Sequence, residues 1–253
     1  MRIFLLLAAV CCFPAAASPP SEAAASEQSA PAATPMTVKA DDGVIVHGAF
    51  YRSPNPKALI LLFHQADSSK DEYRSIAPRL VDAGYSALAI DQRSGGRLFG
   101  INETAAALSH PADYLEAKRD LEAALSWGEQ QKLPIIIWGS SYSASLVFLV
   151  AAEHPESVRA VLAFSPGEYF SSPTAVRNAA SHVNAPIYAT SANDRGEIEA
   201  ARAILAAAPA KLKDQYVPRS GGVHGSSTLI AARDPDGASD NWRAVLAFLA
   251  QVN

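Results

Sequence analysis

Cysteine is nearly missing from this chain. Its 253 residues hold two, Cys11 and Cys12, side by side near the amino terminus. A disulfide framework or a thiolate zinc site in the remainder is thereby excluded. Charge is sparse and balanced, with 21 Lys and Arg against 25 Asp and Glu and a formal net charge of −4. No basic stripe appears, so nucleic-acid binding has no electrostatic footing. An apolar run of about 20 residues, the length that spans a bilayer, is also lacking, and no internal repeat is visible. What is present is a hydrophobic fraction of 49% beside 18% charged residues. That balance belongs to a chain that buries a core.

The amino terminus reads as a leader. Arg2 supplies a positive start, Ile3 to Phe13 an apolar stretch, and Ala15-Ala16-Ala17 a small-residue cleavage site. Residues 1–17 are therefore expected to be a signal peptide, and its removal takes both cysteines with it. Residues 18–35 are rich in Ala, Pro and Ser, with Glu22 and Glu27 the charges among them. They are expected to form a disordered linker. Residues 36–253 are then one folded domain. The expected location is outside the cytoplasm, periplasmic or secreted. The alternative is a lipoprotein anchored through Cys11 or Cys12, which the bulky Val10 before Cys11 disfavours.

Along the domain, strand and helix patterns alternate. Residues 36–40 and 43–51 alternate around Asp42-Gly43 as a hairpin. Apolar runs at 57–64, 86–90, 134–138, 160–164 and 186–190 read as buried strands, and 214–218 as a last one. Helical spacing covers 71–83, 113–128, 142–152, 174–181, 197–208 and 240–252. The expected fold is α/β, a three-layer, doubly wound and mostly parallel sheet that opens with an antiparallel hairpin.

The chemistry gathers around Gly139-Ser140-Ser141-Tyr142-Ser143, a Gly-x-Ser-x-small pattern between a buried strand and a helix. Such a turn holds the middle serine exposed, which makes Ser141 the candidate nucleophile. Ser140 is one residue out of register with the flanking small residues. A serine hydroxyl needs a base, and the base needs a carboxylate to fix its tautomer. Asp194 and His224 follow Ser141 in that order, each just past a strand. His224 sits in the glycine-rich loop Ser220-Gly221-Gly222-Val223-His224-Gly225. Asp194 also fits a helix N-cap before Arg195-Gly196, and Glu168 is a reserve acid. Asp91 is a rival carboxylate, expected instead to brace its loop together with Arg93. His64 is expected to be structural. His47, His110, His154 and His182 have no partner pattern.

With these residues in view, the domain resembles α/β-hydrolases, and most closely the dienelactone hydrolase-like group. The resemblance rests on Phe63-His64-Gln65-Ala66, the Ser141 turn, Asp194 and Gly222-Val223-His224-Gly225. It implies an oxyanion hole of two backbone N–H groups. One would come from Tyr142 and the other from Ala66 or, next best, Gln65. The usual His-Gly is His64-Gln65 here, and the last glycine of the elbow is Ser143. The dienelactone enzymes use a thiol where this chain has Ser141, so their lactone specificity does not carry over. The expected activity is cleavage of a carboxylic ester, or a related acyl bond, of a small substrate, with no metal or cofactor. Two alternatives remain: a peptidase of prolyl-oligopeptidase type, and a catalytically silent hydrolase fold used for binding. Phe99, Tyr169 and Phe170 are candidates to line an apolar slot.

Overall fold

Leu59–Phe63 and Ser86–Ile90 are buried at every position, and so is Ile135–Ser140. β-Branched and leucine side chains on both faces of a strand require a layer above and a layer below. The computed structural model, which describes residues 32–252, supplies both. Its eight strands are β1 Thr34–Lys39, β2 Ile45–Tyr51, β3 Leu59–Phe63, β4 Ser86–Ile90, β5 Ile135–Ser140, β6 Val158–Phe164, β7 Ile187–Thr190 and β8 Lys213–Tyr216. They form one sheet in the order β1-β2-β4-β3-β5-β6-β7-β8. β1 pairs with β2, and β2 with β4, in antiparallel fashion, and every pairing from β4 to β8 is parallel. The fold is the expected three-layer α/β sheet opened by a hairpin.

The helices are α1 Ala77–Asp82, α2 Glu103–Ala107, α3 Lys118–Glu129, α4 Tyr142–Glu153, α5 Ala175–Ala180, α6 Arg195–Ala207 and α7 Ala238–Gln251. Alternation along a strand sorts the core into two halves. Leu59, Leu61, Ile135 and Ile137 face Leu121 of α3, Leu146 of α4 and Ile204 of α6. Ile60, Leu62, Ile136 and Trp138 face Leu80 of α1 and Trp242, Val245 and Phe248 of α7. Each such side chain withdrawn from water contributes about 1.5–3 kcal/mol before entropy is subtracted. No helix among the described residues is long and apolar enough to cross a membrane.

Several boundaries differ from expectation. The leader and most of the linker lie outside the described residues. The linker's last two residues, however, are in the sheet, because Thr34 pairs with Phe50 and Pro35 with Ala49. Pro is tolerated there because β1 is an edge strand. The helix expected over 71–83 breaks into a 3₁₀ turn, Lys70–Tyr73, capped by Ser69, and the short α1. Pro78 carries no N–H and is accepted only in the first turn of a helix. α3 starts at Lys118 rather than 113, since Asp113 and Glu116 exchange capping bonds in an exposed turn. α2 gave no sequence signal, being five residues long and held by the Asn102 side chain, which accepts from Ala105 N–H.

Candidate active site

β5 ends in a turn that only a few residue types can make. Ser141 has φ 59° and ψ −123°, a strained backbone for a residue with a side chain and one that costs about 1–3 kcal/mol. Its N–H donates to Phe164 O at 2.7 Å. Gly139 is obligatory, because a Cβ there would overlap the Ser143 backbone carbonyl. Ser143 is tolerated where a glycine is usual, and its hydroxyl donates to His64 O at 2.6 Å. The elbow is thus tied to the loop after β3.

The glycine-rich loop brings His224 onto this turn. Its Nε2 lies 2.8 Å from Ser141 Oγ, with Ser141 7% exposed. Gly225, at φ 68°, lets the backbone pass so close to Ser140 that a Cβ would stand 2.5 Å from Ser140 Oγ. The loop is braced from behind by buried Asp234, which accepts from Gly222 N–H and from the Thr228 hydroxyl. Ser141 and His224 therefore meet as expected.

The carboxylate against His224 is not Asp194. His224 Nδ1 lies 2.8 Å from Glu197 Oε1. Asp194 is the N-cap of α6, and its side chain accepts from Glu197 N–H at 3.0 Å. In a capping box the third helical residue turns its carboxylate back to the cap's own N–H. Here Glu197 swings inward instead and accepts from Ala192 N–H at 3.0 Å and from His224. The Asp-x-x-Glu spacing at the end of β7 was the signal available in the sequence. It offers two carboxylates one helical turn apart, and the cap takes the first.

Burial raises the Glu197 carboxyl, but hydrogen bonds from His224, Ser165 and Ala192 outweigh it, and its pKa falls from 4.5 to about 2. The bond to Glu197 raises His224 above its usual 6.5, against the effect of burial. Ser165 was missed by sequence reasoning. It sits at φ 57° just past β6 and accepts from Gly225 N–H, so it touches both the acid and the histidine loop.

Of the two candidates left open beside Tyr142, Gln65 already spends its N–H on Glu72 Oε2 at 2.8 Å. Ala66 N–H makes no hydrogen bond among the described residues. Tyr142 is the first residue of α4, where N–H groups have no partner within the helix.

Each remaining candidate has another occupation. Glu168 accepts from Val176 and Arg177 N–H at the start of α5. Asp91 holds Lys70 and Glu103 N–H, while Arg93 pairs with Asp120 and Asp42, so the two brace different neighbours rather than each other. His64 is buried between Gln65 O and Gln92 N–H, and burial lowers it to about 4, so it stays neutral. Tyr169 does stand at the site, its hydroxyl donating to Ser165 O. Phe170, partly buried, packs against the edge of the core, and Phe99 lies under the Arg233 guanidinium at 4.4 Å. A cleft of about 550 Å³ opens beside His224, lined by Gln65, Leu98, Val223, Ser227, Ala232 and Arg233. Elsewhere, Glu122, Glu153 and His154 gather ligand atoms within 4.8 Å of one another. The Lys118 ammonium already bridges both carboxylates.

The sequence profile of the family described as serine aminopeptidase, S33, matches residues 54–217, well over half of the chain. The chain belongs to that family. It is an α/β-hydrolase, and the matched span holds Ser141 and Glu197 but stops short of His224. None of the curated proteins matches the chain significantly. Among solved structures it is similar to a dienelactone hydrolase from Anabaena variabilis, at 22% identity and TM-score 0.67, over 87% of this chain and 96% of that one. An esterase from Pyrococcus furiosus is similar at 17% identity and TM-score 0.67, over 87% and 92%. A thermostable carboxyl esterase from Bacillus coagulans is similar at 12% identity and TM-score 0.67, over 87% and 99%. Likeness at these identities speaks to the fold.

Proposed function

We propose that this hydrolase cleaves carboxylic esters of small substrates through Ser141, His224 and Glu197. The observation that carries the reading is the unbroken path from Ser141 Oγ to His224 Nε2 and from His224 Nδ1 to Glu197, 2.8 Å at each step. Ser141 attacks the ester carbonyl carbon, and its proton passes to His224 Nε2. Glu197 holds the Nδ1–H tautomer and stabilises the imidazolium that forms. Tyr142 and Ala66 N–H groups receive the oxyanion, each donor being worth about 10²–10³ in rate. His224 then protonates the departing alkoxide. Water, deprotonated by the same imidazole, cleaves the acyl-enzyme and regenerates Ser141.

The family description favours a second reading, an aminopeptidase. Such an enzyme has to hold a substrate ammonium beside the scissile bond. The cleft at His224 is lined by a guanidinium, a hydroxyl, an amide and apolar side chains, and no carboxylate is among its lining residues. Glu197 is already committed to His224. This electrostatic lining supports an ester rather than a free amino terminus.

The test is a fluorophosphonate probe followed by a panel of short-chain aryl esters and aminoacyl arylamides. Labelling at Ser141 that vanishes in Ser141→Ala, with esters turned over faster than arylamides, is expected. The reverse preference would establish the peptidase, and unlabelled folded protein would establish a binding fold. We further propose that the chain is exported after cleavage at Ala17. Sequencing the amino terminus of the processed protein should find Ser18, and a blocked cysteine there would mean a lipid anchor.

A further inference from the structure

Behind the catalytic surface lies a carboxylate that the acyl-transfer scheme does not use. Glu72, in the 3₁₀ turn after β3, is fully buried. Its Oε2 accepts from Gln65 N–H at 2.8 Å, and its Oε1 accepts from the Ser140 hydroxyl at 2.7 Å. Ser68 donates to it as well. Ser140 Oγ in turn accepts from Ser226 N–H at 2.8 Å. One side chain therefore touches the loop that presents Ala66 and the residue immediately before Ser141. Through a single hydroxyl it also reaches the loop that carries His224.

All the groups that bond to Glu72 are donors, which is the partner set of an ionised carboxylate. None of those donors is a cation. Burying a carboxylate among neutral groups is costly, and burial pushes its pKa up from 4.5 to about 7. Two titratable groups are coupled to it. Tyr73, on its own turn, is raised well above its usual value by burial and by the Glu72 charge. His224, on the glycine-rich loop, is the cation that lowers Glu72 and is itself raised by it. An apolar residue would fill this space at less cost, so the charge calls for a role.

We propose that Glu72 is a positioning residue for acyl transfer: its carboxylate holds the oxyanion loop, the elbow and the histidine loop in one register, and its charge steadies the His224 imidazolium while that group carries the Ser141 proton. The proposal rests on the serine-hydrolase reading above. Donors from two segments, the loop after β3 and the end of β5, converge on Glu72, Ser140 Oγ links it to the histidine loop, and a shift of the Gln65 peptide moves Ala66 N–H with it. Misplacing reacting groups by about 1 Å costs up to about 10²-fold in rate.

The experiment compares the full chain with Glu72→Gln, Glu72→Asp and Ser140→Ala. Steady-state kinetics use 4-nitrophenyl acetate, and the His224 ring is titrated by NMR. In Glu72→Gln we expect kcat to fall about 10- to 100-fold with KM within about threefold, because binding is spared while alignment is lost. The acid limb and the His224 pKa should move down together by about half a unit or more, because a neighbouring anion has gone. Glu72→Asp, which keeps the charge but shortens the reach, should restore the His224 pKa without restoring kcat. If Glu72→Gln does not fold, Ser140→Ala, which cuts the link to Ser226, should still lower kcat at constant KM. A folded Glu72→Gln with the parent kcat and an unmoved His224 pKa overturns the proposal, as does a Ser140→Ala enzyme of full activity. A parent protein that neither turns over the ester nor reacts with a phosphonate overturns the serine-hydrolase reading itself. An active, labelled parent beside an indifferent Glu72→Gln overturns the role of Glu72 alone.

Discussion

Glu197 and Glu72 act on the same imidazole, one by contact and one by charge at a distance, and the protein treats them in opposite ways. Glu197 stands at the start of α6, half-buried, and receives His224 together with two neutral donors. Glu72 stands under the elbow, fully buried, and receives neutral donors alone. Both are penalised by burial. In Glu197 a directly bonded, protonatable partner reverses the penalty and the pKa drops to about 2. In Glu72 the donors offset only part of it, and the pKa climbs to about 7. Depth of burial alone does not set the charge of a carboxylate. The nature of the group bonded to it decides the sign.

The largest break in this comparison is Glu197→Gln. It keeps the size of the side chain but cannot balance the imidazolium, and kcat on an aryl ester should fall by about 10⁴-fold. A loss of less than tenfold would remove Glu197 from the mechanism.

A second measurement follows stability against pH. The lowered Glu197 contributes stability that is complete above 4.5, its unfolded value, and is lost as pH falls toward about 2. The raised Glu72 has the opposite sign. Its share of stability is complete below 4.5 and is lost as pH rises through about 7. Calorimetric melting from about pH 3 to pH 8 should show Glu72→Gln gaining on the parent protein as pH rises. Glu197→Gln should fall behind as pH rises from about 3 to 4.5 and then run parallel to the parent. Each kcal/mol corresponds to about 2–4 °C in a chain of this size. Parallel curves for the two variants would erase the contrast.

A smaller effect is expected from Ser143→Gly, which restores the usual elbow glycine. It removes the bond to His64 O and the contact with Gln92, and should cost about 1 kcal/mol in denaturant unfolding. An unchanged midpoint would show that the hydroxyl does nothing to tie the elbow to the oxyanion loop.

The smallest effect on turnover belongs to Asp194. Asp194→Ala should lower stability by about 1 kcal/mol, the loss of an N-cap, and leave kcat within a factor of a few. A collapse of kcat that matches Glu197→Gln would restore Asp194 as the catalytic acid.

Which parts were legible follows from the range of the forces involved. The sheet strands could be read because burial on two faces leaves continuous apolar runs such as Ala58 to Phe63. The elbow could be read because Gly139 has no steric alternative beside the Ser143 carbonyl. The break of the first long helix just before Pro78 was readable in principle but was masked by Tyr73, Ile76, Ala77 and Leu80, which keep their helical spacing and stay buried across it. Asp194 and Glu197 are one helical turn apart, and local chemistry alone suits either to face His224. The choice is made by the cap, which draws Asp194 outward, and by Ser165 and Ala192, which meet Glu197 inside.

The sequence by itself determined the alternation of strand and helix, the strained serine and the presence of a histidine loop. Each of these is written in residues within a few positions of one another. Tertiary structure alone decided which carboxylate meets that histidine, which N–H is left without a partner beside Ser141, and that Glu72 and Ser140 together link the loop after β3 to the histidine loop. Those outcomes depend on hydrogen bonds between residues as much as 86 positions apart, such as Ser226 to Ser140, and a donor used in one contact is lost to every other.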